Sequence, residues 1–596
     1  MADVQLARQL TDQVSRLRQR QTAPLILELD LTDGIAEGPV ADPLSAFMAR
    51  RKLRLSDVLE GLRRARKDDR VRALVVKVGG SRIGLARVQE LREAIGAFRE
   101  SGKLTVAWSE SFGEFTGGSV PYYLATAFDR IYLQPSGTLG LTGVAVEQVF
   151  LHDALAKLGV SFESAKRHEY KSAADNLTER GFTEPSREAN ERLAVSIAEQ
   201  ITSAIAARRG KTPEQARELL DRGPFLADDA LAEGLVDALG YRDEVYAEVR
   251  KEAGSDAILQ YVGRYQRTHA LTQKATRLPN PRERFVAVIH ATGPIRPGRS
   301  GRSPLGGSSI GSDTVSAALR SATSDERVRG VLLRVNSPGG SAVASDTIWR
   351  EVVRTRAAGK PVVVSMGDVA ASGGYYIAMA ADAIVAQPGT LTGSIGVIMG
   401  KPVFEEAFEK AGVTTDSVSV GRGANMFAPA HPFSEDDWQR INTWLDAIYR
   451  DFTEKVASGR RMTAEQVHEV ARGRVWTGAD AAQNGLVDEL GGMAVAAEIV
   501  RRRAGLPTGA PLRTYPRTTP FDQLRPPESS ESRPAAATAL DLGVPSGLSA
   551  FSGSSAFSGS SVFSAFAGWG PAWRLAASAG LSPYGPLSLP GRWIIH

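Results

Sequence analysis

The chain carries the same pattern twice, and the two copies lie about 250 residues apart. The spacing drifts by only a few residues across four pairs of matching segments, so the copies differ mainly in loop length. The matching segments are 71–76 with 328–333, 122–125 with 375–378, 158–160 with 411–413, and 233–237 with 484–488. A duplication of this length predicts two similar domains in tandem, each large enough for its own core.

The two repeats do not keep the same reactive side chains. In the second repeat, residues 367–374 read Gly-Asp-Val-Ala-Ala-Ser-Gly-Gly, which places Ser372 before two glycines that the matching Ser119 lacks. The first repeat in turn reads Tyr-Lys-Ser-Ala at 170–173, and the second repeat has no lysine at the matching place. Because each repeat keeps only one of the two residues, Ser372 and Lys171 are predicted to meet in one composite site.

A serine and a lysine together can perform nucleophilic catalysis. A serine hydroxyl is a weak nucleophile at neutral pH and needs a base within hydrogen-bond reach. A lysine can be that base only when burial lowers its pKa from about 10.4. The apolar run 360–366 predicts a buried strand, and the small residues at 373–381 predict a helix. Ser372 is therefore expected at a strand-to-helix turn, at the positive end of the helix.

Two glycine turns of the second repeat are candidates for binding a developing oxyanion. Gly373 directly follows the serine, and Gly340 belongs to the turn Asn-Ser-Pro-Gly-Gly-Ser at 336–341. Backbone N–H groups at these two positions would stay open to a substrate oxygen, since glycine has no side chain to obstruct it. Glycine also has a purely conformational use in turns, and Asn336 could equally form an Asx turn.

With these motifs, the chain resembles the signal peptide peptidase A family, also called protease IV, in its long, duplicated form. The resemblance covers residues 25–500, and Gly-Asp-Val-Ala-Ala-Ser-Gly-Gly-Tyr-Tyr is a signature specific to that family. It implies that Ser372 is the nucleophile, that Lys171 is the general base, and that Ser394 supports the lysine. It also implies an α/β fold of tandem Clp protease/crotonase-like domains, built from repeated ββα units.

The same resemblance implies substrates and partners. Family members cleave remnant signal peptides within or beside the membrane, so peptide substrates are expected, hydrolysed without a metal or another cofactor. They assemble into homo-oligomeric rings, such as tetramers, that enclose the catalytic dyads. We therefore expect this chain to be a serine endopeptidase that degrades cleaved signal peptides and other short hydrophobic peptides.

Composition limits the other functions that the chain could have. Its 42% hydrophobic and 23% charged residues are typical of a globular protein, and the absence of cysteine excludes disulfides, thiol nucleophiles and cysteine metal sites. The basic cluster at 63–67 is followed at once by Asp68 and Asp69, so no nucleic-acid partner is expected. No run of the ~18 apolar residues that cross a bilayer is evident. Membrane association is thus expected to be peripheral, and the side of the membrane stays open.

Changes in composition divide the chain into five expected segments. They are a charged N-terminal segment at 1–24, the repeat with the lysine at 25–264, a polar linker at 265–284, the repeat with the serine at 285–505, and a tail at 506–596. The tail is rich in Pro, Ser, Gly and Ala and repeats the hexapeptide Ala-Phe-Ser-Gly-Ser-Ser. Such a composition buries too little apolar surface to order itself, so the tail is expected to be disordered.

Two other functions stay open on the sequence alone. A crotonase-like enzyme acting on acyl-CoA thioesters would share the fold and the oxyanion glycines without needing Ser372 as nucleophile. A non-catalytic scaffold that organises membranes would use the duplication for assembly only, although the retention of both Ser372 and Lys171 speaks against it. Covalent labelling of Ser372 by a serine-directed reagent would separate the peptidase from both alternatives.

Overall fold

The computed structural model describes most of both repeats. The described residues are 23–37, 53–79, 83–114, 116–276, 280, 282–302, 308–515 and 587–588. The expected charged segment at 1–24 and the expected tail at 506–596 therefore lie largely outside the described residues.

The first repeat alternates strands with helices. Its strands are β1 Leu25–Asp30, β2 Val71–Lys77, β3 Leu104–Ser109, β4 Arg130–Leu133, β5 Thr138–Leu139, β6 Ser161–Lys166, β7 Phe225–Leu226, β8 Ala238–Leu239 and β9 Ile258–Tyr261. Its helices are α1 Leu55–Ala65, α2 Leu85–Arg99, α3 Ser119–Ala125, α4 His152–Lys157, α5 Asp175–Thr178, α6 Glu184–Arg209, α7 Pro213–Arg222, α8 Ala227–Ala232, α9 Arg242–Ala253 and α10 Val262–Thr276. Parallel strands need such crossover helices, because a short turn cannot join them.

The second repeat has a similar alternation of strands and helices, with additional short strands after its first strand. Its strands are β10 Phe285–Thr292, β11 Ile295–Arg296, β12 Gly301–Arg302, β13 Ser308–Gly311, β14 Val328–Ser337, β15 Gly339–Gly340, β16 Val362–Ala371, β17 Ala383–Ala386, β18 Leu391–Gly393, β19 Ile398–Val403, β20 Val475–Thr477, β21 Glu489–Leu490 and β22 Leu512–Thr514. Its helices are α11 Ser312–Ser324, α12 Ala342–Ala357, α13 Gly373–Tyr376, α14 Glu405–Lys410, α15 Glu435–Arg460, α16 Ala464–Val470, α17 Gly478–Gln483 and α18 Met493–Arg503. One further strand, β23 Leu587–Ser588, comes from the C-terminal part of the chain.

Each repeat builds one main sheet. In the first repeat the strand order is β8-β4-β3-β2-β1-β9, and every neighbouring pair is parallel. In the second repeat the order is β20-β18-β16-β14-β10-β22, and only the β18–β20 pair of this path is antiparallel. The central strands β1, β2 and β3 thus correspond to β10, β14 and β16. The predicted α/β fold of tandem, repeated domains is confirmed.

Both faces of each main sheet are buried. Along β2, Leu74 belongs to one hydrophobic core, whereas its neighbour Val75 belongs to the core on the opposite face. Leu333 and Leu332 divide in the same way along β14. Because successive side chains of a strand point to opposite faces, apolar runs without alternation are what a doubly covered sheet requires.

A two-stranded ribbon links the repeats beside the main sheets. Strand β6 of the first repeat pairs antiparallel with β19 of the second repeat, from Ser161 opposite Val403 to Lys166 opposite Ile398. In this ribbon, a strand of the first repeat lies directly against a strand of the second repeat. Lys171 lies shortly after the end of β6, so this pairing places the lysine next to the repeat that contains Ser372.

Two segment boundaries differ from those expected from composition. The helix α10 runs to Thr276, well into the stretch expected to be a linker, and its Tyr265 is buried at 2% exposure. Strand β22 pairs with β10 and so extends the second sheet beyond residue 505. Residues 265–276 are mostly polar and residues 506–515 contain Pro, Gly and Ala, so composition does not distinguish these additions from a linker or a tail.

Candidate active site

Ser372 lies at a sharp turn between strand and helix. It separates β16 from α13, and its backbone has φ 54° and ψ −114°. Few residues other than glycine adopt a positive φ, and such strain persists only where the surroundings enforce it. The Ser372 N–H donates to the carbonyl oxygen of Gly393 at 2.8 Å, which ties the turn to strand β18. The helix is a single turn, shorter than the expected 373–381, because the chain soon returns to the sheet as β17.

The two glycines after the serine are required by close packing. A Cβ on Gly373 would lie 2.7 Å from Ser345 Oγ, and a Cβ on Gly374 would lie 2.6 Å from the carbonyl oxygen of Ser337. Real Cβ atoms do not approach other atoms so closely. The glycines therefore let the serine turn pack against the start of α12 and the end of β14.

Lys171 reaches the serine from the first repeat. Both side chains are fully buried, and Lys171 Nζ lies 2.9 Å from Ser372 Oγ. The Nζ also lies 2.9 Å from Ser394 Oγ and 3.1 Å from the Ser394 carbonyl oxygen. The structure thus brings together the three residues that the sequence and the family resemblance pointed to, from segments more than 200 residues apart.

Burial lowers the pKa of Lys171 into the range in which a lysine can act as a base. Removal from water disfavours the charged ammonium and lowers the pKa of Lys171 to about 7. Near pH 7, the Lys171 amine is therefore neutral in a substantial fraction of the molecules, and its lone pair can accept a proton. The pair can act as a nucleophile and its general base.

A glycine of the second repeat leaves room for the lysine backbone. A Cβ on Gly473 would lie 2.5 Å from Lys171 N, and this glycine has a φ of +85°. On either side of it, Arg472 pairs with Glu169 at 2.9 Å and Arg474 pairs with Glu188 at 2.7 Å. These contacts hold the lysine segment against the second repeat.

Sequence reasoning did not identify this Arg-Gly-Arg segment. The available signal was the duplication, since the first repeat has Arg222 and Gly223 at the matching place. A Cβ on Gly223 would lie 1.8 Å from the carbonyl oxygen of Leu141, so this glycine also permits a close approach. The pattern alone gave no indication that Gly473 faces Lys171.

The two oxyanion candidates are neighbours. A Cβ on Gly373 would lie 3.2 Å from the backbone nitrogen of Gly340, which places the two glycine turns in contact. Gly340 has a φ of +147° and pairs with Ile295 of β11 on one side and with Leu587 of β23 on the other. A Cβ on Gly340 would lie 2.1 Å from the Ile295 carbonyl oxygen, so no other residue fits there.

Comparison with known proteins identifies the family. Residues 97–256 and 354–506, one stretch from each repeat, match Peptidase family S49. Protease 4 of Salmonella typhi is 32% identical over 505 residues, which cover 81% of this chain and 79% of the relative. Serine protease SPPA, chloroplastic, of Arabidopsis thaliana is 32% identical over 460 residues, or 76% of this chain and 66% of the relative.

A shorter relative matches only part of the chain. The protein of Enterococcus faecium named signal peptide peptidase SppA is 39% identical over 173 residues, which cover 29% of this chain and 50% of the relative. The matches with the two longer relatives extend over most of this chain, including both repeats. The chain therefore belongs to peptidase family S49 and is a serine peptidase.

Proposed function

We propose that this chain is a Ser–Lys endopeptidase that degrades cleaved signal peptides and other short hydrophobic peptides. Ser372 is the nucleophile and Lys171 is its general base. The observation that carries the proposal is the 2.9 Å distance between Lys171 Nζ and Ser372 Oγ, combined with the lowered pKa of the lysine. The class of substrate rests on the name of the Enterococcus faecium relative.

The first half of the reaction makes an acyl-enzyme. Ser372 Oγ attacks the carbonyl carbon of the scissile bond while its proton passes to Lys171 Nζ. The resulting ammonium then gives that proton to the nitrogen of the leaving amine as the C–N bond breaks. A lysine of pKa about 7 suits both proton transfers near neutral pH, because its neutral form can accept the serine proton and its charged form can give it up again.

The second half releases the acyl group. A water molecule enters where the amine has left and attacks the ester carbonyl, and Lys171 accepts its proton. Collapse of the tetrahedral intermediate breaks the bond to Ser372 Oγ, which recovers its proton from the lysine. The new carboxylic acid and the original dyad remain, so the cycle closes with one water consumed.

Glycine N–H groups stabilise the charge that develops in both halves. Gly373 and Gly340 lie next to each other beside Ser372, and their backbone N–H groups are the donors in this proposal. Preorganised donors of this kind contribute most where water is excluded. Ser394 has a separate task, since its two oxygen atoms beside Nζ orient the lysine.

We extend the proposal to assembly and location. The chain works as a homo-oligomeric ring at a membrane surface, attached peripherally. No helix in the described part of the chain could span a membrane. Apolar side chains that stand in solvent, such as Val418 at 100% and Val420 at 97% exposure, would be covered by a neighbouring subunit or by lipid. Light scattering and sedimentation with vesicles would measure the two properties separately.

A labelling experiment tests the catalytic assignment. The purified protein is treated with a fluorophosphonate, and the modified peptide is identified by mass spectrometry alongside an assay of signal-peptide cleavage. We expect an adduct at Ser372 and no adduct or cleavage in Ser372→Ala. Ser119→Ala is the matched control, because Ser119 is the buried counterpart in the first repeat and its Oγ donates to Gly143.

Three outcomes would contradict the proposal. An adduct at another serine would move the nucleophile elsewhere. Peptide cleavage by purified Ser372→Ala at the wild-type rate would remove Ser372 from the reaction. Turnover of an acyl-CoA thioester without a covalent adduct would favour the crotonase-like alternative, which needs no serine nucleophile.

A further inference from the structure

The strand that carries Ser372 contains a bulge just before the serine. Strands β14 and β16 pair in register up to Val335 opposite Met366, and pairing resumes with Ser337 opposite Ala370. Between these pairs, Asn336 alone stands opposite Gly367, Asp368 and Val369. Bulges of this kind bend a strand and redirect the side chains that follow.

The side chain of Asn336 forms hydrogen bonds both to the bulge and to the first repeat. Its Oδ1 accepts a hydrogen bond from the Val369 N–H at 3.1 Å, so it takes the place of the missing strand partner. Its Nδ2 donates to Glu37 Oε2, which belongs to the first repeat. Asn336 therefore bonds to residues beyond its own turn, and the alternative of an Asx turn does not account for these bonds. It connects the bulge to a carboxylate almost 300 positions away.

Glu37 is itself fixed by a buried arginine. Arg334 is 1% exposed and pairs with Glu37 at 2.6 Å and with Glu90 at 2.5 Å, both from the first repeat. The same guanidinium donates to Ser365 Oγ at 2.8 Å and to the Met366 carbonyl oxygen at 3.0 Å, immediately before the bulge. Burial would raise the pKa of Glu37, but Arg334, together with Arg87 and His290, outweighs burial and lowers the pKa.

Asp368, in the middle of the bulge, is also held by the first repeat. Asp368 accepts hydrogen bonds from Arg87 Nε at 2.5 Å and from the Arg87 backbone N–H at 3.1 Å. A Cβ on Gly84 would lie 2.2 Å from Asp368 Cγ, so the glycine permits this contact. Arg87 also donates to the Ile35 carbonyl oxygen at 2.9 Å, two residues before Glu37. The first repeat thus contacts the bulge region through two residues, Glu37 and Arg87.

We propose that Asn336, held by Glu37 of the first repeat, is a positioning residue that fixes the bulge and thereby sets the direction in which Ser372 faces Lys171. The strained backbone of Ser372 needs such enforcement, since φ 54° is unfavourable for a residue with a side chain. The first repeat would then contribute to catalysis twice, through the base and through the geometry of the nucleophile. This inference rests on the proposed role of Ser372.

The test compares Asn336→Ala with a matched control. Gln387→Ala removes the same kind of bond, an amide that donates to a carboxylate of the first repeat, here Glu93 at 2.8 Å, and Gln387 is 1% exposed. Measurements are kcat and KM for a signal peptide and Tm for each variant. We expect Asn336→Ala to lower kcat roughly 10- to 100-fold with KM nearly unchanged, because a small misplacement of a reacting group slows only the chemical step. Gln387→Ala should keep its kcat.

A second pair of variants keeps the test valid if Asn336→Ala folds poorly. Glu37→Gln retains an oxygen that can accept from Asn336 and should keep most of the kcat, whereas Glu37→Ala should lose it. A kcat for Asn336→Ala equal to wild type, or lowered no more than in Gln387→Ala at equal Tm, would overturn the inference. If wild-type hydrolysis does not depend on Ser372 at all, the proposed function fails first, and the fluorophosphonate experiment detects that separately.

Discussion

Ser394 contacts Lys171 at two points, through its Oγ at 2.9 Å and through its carbonyl oxygen at 3.1 Å from Nζ. A neutral amine has two N–H groups and one lone pair. If both N–H groups donate to Ser394, the lone pair is left for the proton of Ser372. In the proposed mechanism, Ser394 thereby selects the orientation in which the lysine can act as a base. Its φ of 51° fits a residue constrained by its surroundings.

Replacing Ser394 by alanine should slow the enzyme without inactivating it. The variant loses the Oγ contact but keeps the carbonyl contact, so we expect kcat to fall about 5- to 10-fold, as for one hydrogen bond. KM should change little, since neither atom touches substrate in the proposed mechanism. Steady-state kinetics on a signal peptide measures both. A fall as large as in Ser372→Ala would mean that Ser394 takes part in the chemistry.

Activity should rise with pH through the titration of Lys171. Only the neutral lysine can accept the serine proton, and burial lowers its pKa to about 7. A plot of log kcat/KM against pH should therefore climb up to about pH 7 and level off above it. A midpoint near 10, the value of a lysine in water, would show that position 171 is not desolvated in the free enzyme.

Lys171→Met should abolish activity and stabilise the protein. The unfolded chain binds a proton at this position up to about pH 10.4, whereas the folded chain releases it near pH 7. Between these values the unfolded state holds more protons, so wild-type stability rises with pH, and at pH 7 and below the full penalty is present. The gain in Tm of the methionine variant should thus be largest at pH 6 and shrink by pH 10. Lys401→Met, at another buried lysine, should remain active.

Gly473→Ala should displace Lys171. The added Cβ would lie 2.5 Å from Lys171 N and 2.6 Å from its Cβ, so the lysine segment must move. We expect a fall in kcat of about 100-fold or more. Gly412→Ala is the control, because Gly412 has a similar φ of +68° but open space around its Cβ position. Equal activity of the two variants would contradict this role of Gly473.

Removing the C-terminal segment should free the edge of β15 that we expect a peptide substrate to use. Strand β23 pairs antiparallel with β15, with Gly340 opposite Leu587 and Gly339 opposite Ser588. An extended substrate that approaches Ser372 would use the same edge for its own main chain. A chain that ends at residue 515 keeps β22 and should show a lower KM with kcat unchanged. An unchanged KM would mean that the tail does not compete with peptides.

The sequence was sufficient to predict that Ser372 and Lys171 meet, because each repeat lost a different one of the two residues. The duplication aligned Ser372 with Ser119, and only Ser372 is followed by two glycines, which distinguished the two serines. The fold followed from the family resemblance, and the apolar strands were readable as buried runs. These features are local in the sequence, or they repeat at a fixed spacing, and either property makes them detectable.

Other parts of the site depend on contacts between distant segments. Asn336 and Glu37 are almost 300 positions apart, and the local sequence indicated for Asn336 only a possible Asx turn, not a contact with Glu37. Gly473 resembles many turn glycines until Lys171 is packed against it. The short helix after Ser372 also escaped prediction, because the small residues at 373–381 favour a longer one. Tertiary packing, and not local preference, decides each of these cases.

The proposed dyad is divided between the repeats, so its two members are synthesised at different times. Lys171 precedes Ser372 by 201 positions, so the ribosome adds the base long before the nucleophile. At roughly 5 to 20 residues per second, the interval is about 10 to 40 s. Throughout it, the nascent chain contains a lysine without its serine and has no peptidase activity of this kind. In the proposed mechanism, the chain can cleave peptides only after the second repeat has been synthesised and has packed against the first.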